Sequence, residues 1–262
     1  VPEMSYLYET HLHTNVGSRC GISSPEDYIP VYKAYGYTGI FVTDHFFNGN
    51  CAIDQSLPWE RQVDGFLQGY LRAKEAGEKA GLDVFFGWEA RLGNDEYLVY
   101  GLDRKWLLMH PEIVTASHKE QYELVHAGGG AVIQAHPYRE RDYETAIDLW
   151  PGVVDGIEGY NLHDSVFEDQ RSRDYARQWG LCMTAGSDVH DVRKLASGGP
   201  FGVATDTRWG SIQDYVRILR SKGKMSLSLV LPGEENRSEN FTLNFAVHIH
   251  ETQGAPYAVR TL

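Results

Sequence analysis

The chain has 262 residues, of which 42% are hydrophobic and 23% charged, and 24 basic against 36 acidic side chains give a formal net charge of −12. Apolar and aromatic residues are numerous enough for a sizeable core, which excludes an intrinsically disordered chain. The acidic balance argues against nucleic acid as the main partner, because binding to a phosphate backbone needs clustered positive charge. No apolar run reaches the roughly 18 residues of a membrane span.

The cysteines and the first residues indicate the compartment. The chain has three scattered cysteines, Cys20, Cys51 and Cys182, and no CxxC motif. An odd number of cysteines without such a motif argues against a disulfide scaffold and for a reducing environment. Residues 1–4 do not open a signal peptide. We therefore expect a cytoplasmic globular protein with no membrane association.

Short apolar runs alternate with polar, helix-like stretches along most of the chain. The predicted strands are 6–13, 39–45, 84–89, 97–102, 131–136, 156–161, 181–187 and 201–205. The predicted helices are 25–36, 59–81, 119–128, 141–150, 168–180 and 211–223, most of them ending in glycine. This alternation predicts an α/β fold with a parallel sheet and helical crossovers, either closed as a barrel or open and doubly wound.

The pattern changes after residue 223. Two strand-like runs, 225–231 and 241–251, flank a polar stretch over 232–240 and predict an antiparallel appendage, not a further strand–helix unit. We expect one domain over residues 1–262, with a barrel over about 6–223 and a C-terminal strand appendage over about 224–262.

Histidines and acidic residues end five of the eight predicted strands. They are His11 with His13, Asp44 with His45, Glu89, His136, and Asp188 with His190. Side chains two apart on a strand share a face, and α/β folds form their sites beyond the carboxyl ends of the strands. We therefore expect these residues in one cleft. Imidazole and carboxylate ligands without thiolate suit zinc, manganese, iron or nickel.

Five histidines outside these strand ends are expected in ordinary structural positions. His248 and His250 form a second HxH, but they stand in the appendage without neighbouring metal-binding motifs and are expected on a solvated strand face. His110, His118 and His126 are expected at the surface or as helix caps. Ser187 near His190 gives only a weak hydrolase-triad signal, because no nucleophile elbow surrounds the serine.

The ordered motifs resemble those of the PHP (polymerase and histidinol phosphatase) family. They are His11-Leu12-His13-Thr14, Val42-Thr43-Asp44-His45, Glu89, His136-Pro137 and Gly186-Ser187-Asp188-Val189-His190, within residues 6 to about 205. The resemblance implies a distorted, TIM-like (β/α)7 barrel with two or three divalent metal ions, zinc, manganese or iron, at the strand ends. It also implies phosphoester hydrolysis by a metal-activated water, with Asp188, Glu89 and His45 as the catalytic residues.

The resemblance also implies a ligand for each metal position. His11, His13, Glu89 and Asp188 would bind one metal; Glu89 and His136 would share a second; and His45 and His190 would serve a third. Asp44 and Asp191 would orient imidazoles by hydrogen bonds to the ring nitrogens that do not bind metal.

Several positions depart from the family pattern. Trimetal members usually carry a histidine or aspartate seven or eight residues after the first motif histidine, where this chain has Ser18 and Arg19. Many members have a ligand histidine on the strand after the motif glutamate, where Tyr97 falls in our alignment. Either the second and third metal positions are weakened, or Cys20 or His163 supplies a replacement ligand.

Two arginines are candidates for binding a substrate phosphate. Arg19 and Arg139 each follow a motif, and a guanidinium can bind a phosphate bidentately, but both positions equally suit a surface loop. We expect a metal-dependent phosphoesterase acting on a small phosphomonoester, of the histidinol-phosphate or nucleotide type. The alternatives are a metal-dependent amidohydrolase, which would usually need a bridging lysine, and a degenerate module that binds metal or ligand without turnover.

Overall fold

The structure is a computed structural model that describes residues 6–142, 144–197, 201–222, 224–225, 227–230, 245–250 and 259–261. The strands are β1 Tyr6–Leu12, β2 Gly39–Val42, β3 Asp83–Leu92, β4 Asp95–Tyr100, β5 Ala131–Gln134, β6 Ala146–Leu149, β7 Gly156–Asn161, β8 Cys182–Gly186, β9 Gly202–Thr205, β10 Ser228–Val230, β11 Ala246–His250 and β12 Val259–Thr261. The helices are α1 Pro25–Ala34, α2 Trp59–Phe66, α3 Gln68–Ala80, α4 Arg104–Met109, α5 His118–Ala127, α6 Val166–Trp179 and α7 Ile212–Leu219.

The main sheet curves into a nearly closed barrel. Its strand order is β10-β9-β1-β2-β3-β4-β5-β7-β8, and β8 returns to β1. The closure extends beyond β8, where the Asp188 amide donates to the His11 carbonyl at 2.8 Å and the His13 amide donates to the Val189 carbonyl at 2.9 Å. The predicted α/β barrel of distorted TIM-like form is therefore confirmed. It is not wholly parallel, since β4 runs antiparallel to β3 and β5, and β9 runs antiparallel to β1.

The helices begin and end where their sequences supply caps. Ser117, Ser165 and Ser211 each form a capping box at the start of α5, α6 and α7. Gly180 ends α6 at φ 64°, a left-handed conformation that glycine adopts without steric cost. These local signals explain why sequence reasoning located these helices.

The predicted helix over 59–81 is divided into two helices, because its two halves pack in different places. Val63 and Phe66 of α2 lie in an aromatic cluster with Phe46. Ala73 of α3 instead packs in the cluster that contains α1 and β2 side chains. The chain therefore changes direction near Leu67, where α2 ends and α3 begins.

The predicted helix over 141–150 is wrong, because its second half forms strand β6. This strand pairs in parallel with β11, which follows it by about a hundred residues, and β11 pairs antiparallel with β12. The predicted second appendage strand is thus present as β11. It is not purely antiparallel as expected, because it pairs in parallel with β6. The first one, β10, joins the main sheet beside β9. No helix in the described part of the chain combines the length and apolar character needed to cross a bilayer.

Apolar side chains from several strands hold the barrel together beneath its carboxyl ends. Phe41 of β2, Leu98 of β4, Ile133 of β5 and Ala185 of β8 are fully buried in one cluster with Tyr215 of α7. Because these strands are fixed to each other by packing as well as by hydrogen bonds, the residues at their ends are held on rigid supports.

Candidate metal centre

Four side chains from three separate strands converge at the mouth of the barrel. His11, His13, Glu89 and Asp188 are all buried, and each offers a ligand atom within 4.8 Å of the others. The Nε2 atoms of His11 and His13 lie 3.1 Å apart, and His13 Nε2 lies 3.1 Å from Asp188 Oδ1. The structure therefore brings together the four residues that the family resemblance assigns to the first metal position.

Several of the converging atoms have no hydrogen-bond partner. Glu89 Oε2, Asp188 Oδ1 and His45 Nδ1 are buried and unsatisfied, although His45 Nδ1 lies only 2.9 Å from Glu89 Oε2. A buried polar atom without a partner costs about 1–3 kcal/mol, and more if it is charged. Nitrogen and carboxylate donors that face one another unpaired are the donor set of a divalent metal such as zinc, so the residues fit the metal.

Two of the site residues have unusual backbone conformations. His136 has φ 28° and Asp188 has φ 53°, both in the region that favours glycine. Such a conformation costs about 1–3 kcal/mol and persists only where surrounding contacts impose it. Here the His136 amide donates to Glu158 Oε2 at 3.1 Å, and the Asp188 amide donates to the His11 carbonyl. The strain is consistent with a role in aiming these two side chains.

A second group of ligand atoms includes a residue that sequence reasoning missed. His45, Glu89 and Glu96 offer atoms within 4.8 Å of one another. His136 Nε2 lies beside the same carboxylates, 3.1 Å from Glu89 Oε1 and 3.5 Å from Glu96 Oε2. Glu96 thus offers a carboxylate to the group that contains His45 and Glu89, beside His136.

The alignment that placed the ligand position of this strand at Tyr97 was wrong by one residue. In the β3–β4 hairpin, Glu89 lies opposite Leu98, so Glu96 shares the face of Glu89 and Tyr97 points to the other face. The Tyr97 hydroxyl donates to Asp95 Oδ2 at 2.7 Å, away from the metal centre. The alternation of β4 was the signal that could have identified Glu96.

A third group consists of imidazoles. His13, His45 and His190 offer ligand atoms within 4.8 Å of one another, and the His13 and His190 rings stack at 4.2 Å. Cys20 lies beside them. Partial burial raises the pKa of the Cys20 thiol, but its hydrogen bonds to His190 and His45 outweigh that effect and lower the pKa to about 5.

Carboxylates behind the ligands hold the imidazoles in orientation. Glu158 Oε1 lies 2.9 Å from His11 Nδ1, so the opposite ring nitrogen of His11 faces the centre. The charged His11 in turn holds the pKa of the Glu158 carboxyl below its usual value, although burial alone would raise it. Gly186 permits this approach, because a Cβ there would lie 2.5 Å from His11 Cβ and 2.6 Å from Glu158 Oε1.

Ser18 and Asp44 orient the second histidine. The Ser18 hydroxyl donates to Asp44 Oδ1 at 2.8 Å and lies 3.0 Å from His13 Nδ1. Asp44 therefore acts through Ser18 on His13. Asp191 instead pairs with Arg193 at 2.7 Å, so the expectation that it orients His190 is wrong.

The carboxylates of the first position have strongly lowered pKa values. Burial alone would raise the pKa of Asp188, but the charges of His11 and Arg139 hold it well below its usual value. Glu89 has a pKa shifted in the same direction, mainly by His11 and His45. Both groups are therefore carboxylates, the form that binds a metal ion.

The two candidate arginines lie in different places. The partly buried Arg139 lies in an ion-pair network, with Nη1 2.6 Å from Asp188 Oδ2 and Nε 2.6 Å from Asp164 Oδ1. It thereby fixes one oxygen of Asp188 while the other faces His11 and His13. Arg19 is exposed, and its Nε donates to the Cys51 carbonyl at 2.7 Å. Arg19 does not line the cleft above the centre, so the structure does not support phosphate binding by this side chain.

A cleft of about 880 Å³ opens over the three groups. Its walls carry polar and basic side chains that sequence reasoning did not single out: Asn48, Asn50, Arg91, Arg141 and Lys194. His163 also lines the cleft, and burial lowers its pKa to about 4, which leaves it neutral. A polar cleft of this volume suits a small, hydrophilic substrate.

Comparison with known proteins gives partial matches in sequence and near-complete ones in fold. No protein-family model matches the chain. It is 31% identical over 96 residues, 37% of its length, to the PolC-type DNA polymerase III of Streptococcus thermophilus, and 30% identical over 94 residues to that of Halalkalibacterium halodurans. The matched segment spans only 5% of each of these relatives.

Three solved structures share the fold. A two-domain protein from Bacteroides vulgatus that contains a predicted PHP-like metal-dependent phosphoesterase aligns with a TM-score of 0.58 and 16% identity, covering 86% of this chain and 64% of that one. A predicted metal-dependent phosphoesterase from Bifidobacterium adolescentis aligns with a TM-score of 0.51 and 15% identity, covering 84% and 97%. An amidohydrolase from Chromobacterium violaceum, with bound sulfate and no metal, gives 0.50 and 14%, covering 87% and 98%.

Proposed function

We propose that the chain is a metal-dependent hydrolase of small phosphomonoesters of the PHP type, because it shares its fold with PHP-like phosphoesterases and its ordered motifs resemble those of that family. The observation that carries the proposal is the set of unpartnered buried atoms on Glu89, Asp188 and His45 at the floor of a polar cleft. The proposed substrate is of the histidinol-phosphate or nucleotide type, and a polynucleotide is not expected to be the main one, because the chain carries a net charge of −12.

The metal centre holds two or three divalent ions, zinc, manganese or iron, in this proposal. His11, His13, Glu89 and Asp188 hold the first ion, and Glu89, Glu96 and His136 hold the second. His45 and His190 serve the third. When bound, such ions polarise a phosphoryl oxygen and lower the pKa of a coordinated water.

Residues next to the ligands hold the ligand side chains in a fixed orientation. Glu158 and Ser18 fix the rings of His11 and His13, and Arg139 fixes Asp188, so the donor atoms do not have to reorganise when the centre fills. We assign the catalytic roles to Asp188, Glu89 and His45, because these side chains have buried atoms without a hydrogen-bond partner where the ligand groups converge. Arg139 is assigned here as a positioning residue.

The basic side chains of the walls complement an anionic substrate. Arg91, Arg141 and Lys194 line the cleft above the metal ligands. Arg141 also pairs with Glu96 at 2.6 Å, which places its guanidinium next to the second metal position. Bound divalent ions would add further positive charge locally, so the acidic net charge of the chain does not oppose binding of a phosphate.

Amidohydrolase activity is the second candidate, since one of the solved structures with this fold is an amidohydrolase. The two groups that contain carboxylates have one carboxylate in common, that of Glu89. A carboxylate at that position departs from the bridging lysine that amidohydrolases usually need. A non-catalytic module is a third reading, which the complete ligand set of the first position disfavours.

The test compares substrate classes on metal-loaded protein. Chain purified and reloaded with manganese or zinc is assayed on p-nitrophenyl phosphate, a panel of phosphomonoesters, a short oligonucleotide and dihydroorotate. We expect metal-dependent turnover of phosphomonoesters, loss of turnover in Asp188→Asn, and wild-type turnover in Asp148→Asn, whose carboxylate lies outside the cleft. Turnover of dihydroorotate alone would establish the amidohydrolase reading, and two bound metals without any turnover would establish a binding module.

A further inference from the structure

Strand β1 contains one extra residue just before the metal ligands. Its pairing with β2 shifts register between Glu9 and Leu12. Thr10 and His11 therefore share the place opposite a single residue of β2, Phe41. Two residues opposite one form a β-bulge, a feature that re-aims side chains and is common beside functional sites.

Packing on the two sides of the bulge shows that the alternation of β1 is reversed there. Tyr8, before the bulge, packs in the cluster that contains Phe41. Leu12, after it, packs in the cluster that contains Ile40 and side chains of α1. Residues four apart in a regular strand share a face, whereas these two lie on opposite faces. Without the bulge, the two ligand histidines at the end of β1 would therefore point toward α1 instead of the barrel mouth.

The carboxylate of Glu9 holds this bulge in place. Glu9 is fully buried, and its Oε1 accepts the amide of His11 at 2.9 Å and the amide of Ser187 at 3.0 Å. Its Oε2 accepts the hydroxyl of Tyr32 of α1 at 2.9 Å. Ser187 directly precedes Asp188 in the chain. One oxygen thus fastens the bulge of β1 to the segment that carries the aspartate ligand.

The bulge needs such acceptors because an extra residue disrupts the ladder of backbone hydrogen bonds. The amide of Leu12, next to the bulge, is also satisfied by a side chain, since it donates to Thr43 Oγ1 at 3.1 Å. Glu9 and Thr43 therefore contact the backbone of the ligand-bearing segment and not the imidazoles. Any effect of these two side chains on the metal centre passes through that backbone.

We propose that Glu9 is a positioning residue, which holds the β1 bulge and thereby aims His11 and His13 at the metal centre. The inference rests on the metal centre of the proposed function, but not on the reaction assigned to it. Glu9 belongs to none of the ligand groups found among the described residues, so its role is to supply an acceptor of the right reach. With Oε1 between two amides, the histidines and Asp188 are held relative to one another before a metal binds.

The metal affinity of the folded chain tests this role, because a residue that only stabilises the fold leaves that affinity unchanged. The full chain, freed of metal, is titrated with cobalt(II) against a chromophoric chelator, and the ligand-field bands of bound cobalt are recorded. Glu9→Asp keeps the charge but is one methylene too short to reach both amides. We expect its affinity for the tightest cobalt equivalent to fall by about 10–100-fold, with shifted bands. Glu9→Gln retains an oxygen that can accept both amides, and we expect it to match wild type.

Two further variants control for the other contacts. Tyr32→Phe removes only the bond to Oε2 and is expected to keep the affinity and the bands of wild type. Thr43→Val removes the second side-chain acceptor of the bulge, so a lower affinity is expected, and this variant decides the test if Glu9→Asp does not fold.

The outcomes separate this inference from the proposed reaction. A loss of affinity in Glu9→Gln with none in Glu9→Asp would show that Glu9 acts by its charge, and would overturn the inference. Wild-type affinity and bands in Glu9→Asp, or in Thr43→Val where Glu9→Asp does not fold, would overturn it as well and leave the hydrolase proposal intact. A wild-type chain that binds no cobalt would overturn both.

Discussion

The histidine pairs His11–His13 and His248–His250 have the same spacing on a strand, but their surroundings differ. The Nε2 atoms of the first pair lie 3.1 Å apart and face the shared carboxylates of Glu89 and Asp188. In the second pair, His250 is within hydrogen-bond distance of a carboxylate, with Nε2 2.7 Å from Asp148 Oδ1. The first arrangement leaves donor atoms unpaired, and the second satisfies them.

The surroundings of His250 form an outer cluster of Asp95, His118, Asp148, Trp150 and His250. Trp150 is stacked between the rings of His118 and His250, each at a centroid distance of 4.0 Å. His118 has its own acid as well, 2.9 Å from Asp95. The expectation that His250 lies on a solvated face is wrong, because its ring packs on Trp150 where β11 pairs with β6. The comparison shows that HxH spacing indicates a metal site only where several ligands share one unpaired space.

The largest expected effect is the difference between substituting an aspartate of the metal centre and substituting one of the outer cluster. Asp188→Asn removes a carboxylate from the first metal position, and we expect the loss of bound metal and a fall in kcat of more than about 100-fold, since even residues behind the ligands are worth about 10–100-fold. Asp148→Asn in the outer cluster is expected to keep both values. Metal content and steady-state kinetics of the two variants measure this. Equal losses in both would show that the outer cluster takes part in the metal centre.

A smaller effect is expected from Glu158, which touches the metal centre only through His11. Glu158→Gln keeps the shape of the side chain but removes the negative charge that orients and charges the ring. We expect metal affinity to fall by about 10–100-fold, with activity recovered at saturating metal. Competition with a chromophoric chelator gives the affinity. An affinity equal to that of wild type would mean that His11 is oriented by its backbone alone.

The sequence alone predicted the convergence of His11, His13, Glu89 and Asp188 because barrel strands end at one mouth. His11, Glu89 and Asp188 lie far apart in the chain, but each lies in the carboxyl half of a barrel strand or just beyond it, so the barrel brings them together. Glu96 could not be chosen over Tyr97 in the same way. The choice depends on the register of the β3–β4 hairpin, and a shift of one residue moves every side chain to the other face.

The strand β6 is the clearest case of a feature that local sequence could not predict. Ala146–Leu149 follows a polar stretch that resembled a helix, and its strand form depends on pairing with β11, far along the chain. Glu158 and Ser18 were missed for a related reason. Their roles exist only once the strands are assembled, and neither belongs to a recognised motif.

The outer cluster is expected to affect stability and not catalysis. His250→Ala removes the contact with Asp148 and the stacking on Trp150, and we expect a loss of about 1–2 kcal/mol in the free energy of unfolding. The midpoint of thermal unfolding should fall by roughly 2–4 °C for each kcal/mol. His248→Ala is the matched control, since this ring lies 3.6 Å from Asp148 and is more exposed. Reduced kcat in folded His250→Ala would contradict the division between the two regions.

The smallest effect is expected at Arg19. Its guanidinium is exposed and donates to the Cys51 carbonyl, outside the lining of the cleft, whereas the partly buried Arg139 holds Asp188 directly. Arg19→Ala should therefore leave KM and kcat within about twofold of wild type, a change of less than about 0.5 kcal/mol. Arg139→Gln, measured beside it, should lower kcat and weaken metal binding, because Asp188 loses a charged partner. A KM raised about tenfold in Arg19→Ala would place the guanidinium on the bound phosphate, and the loop over residues 18–22 would then have to close on the substrate.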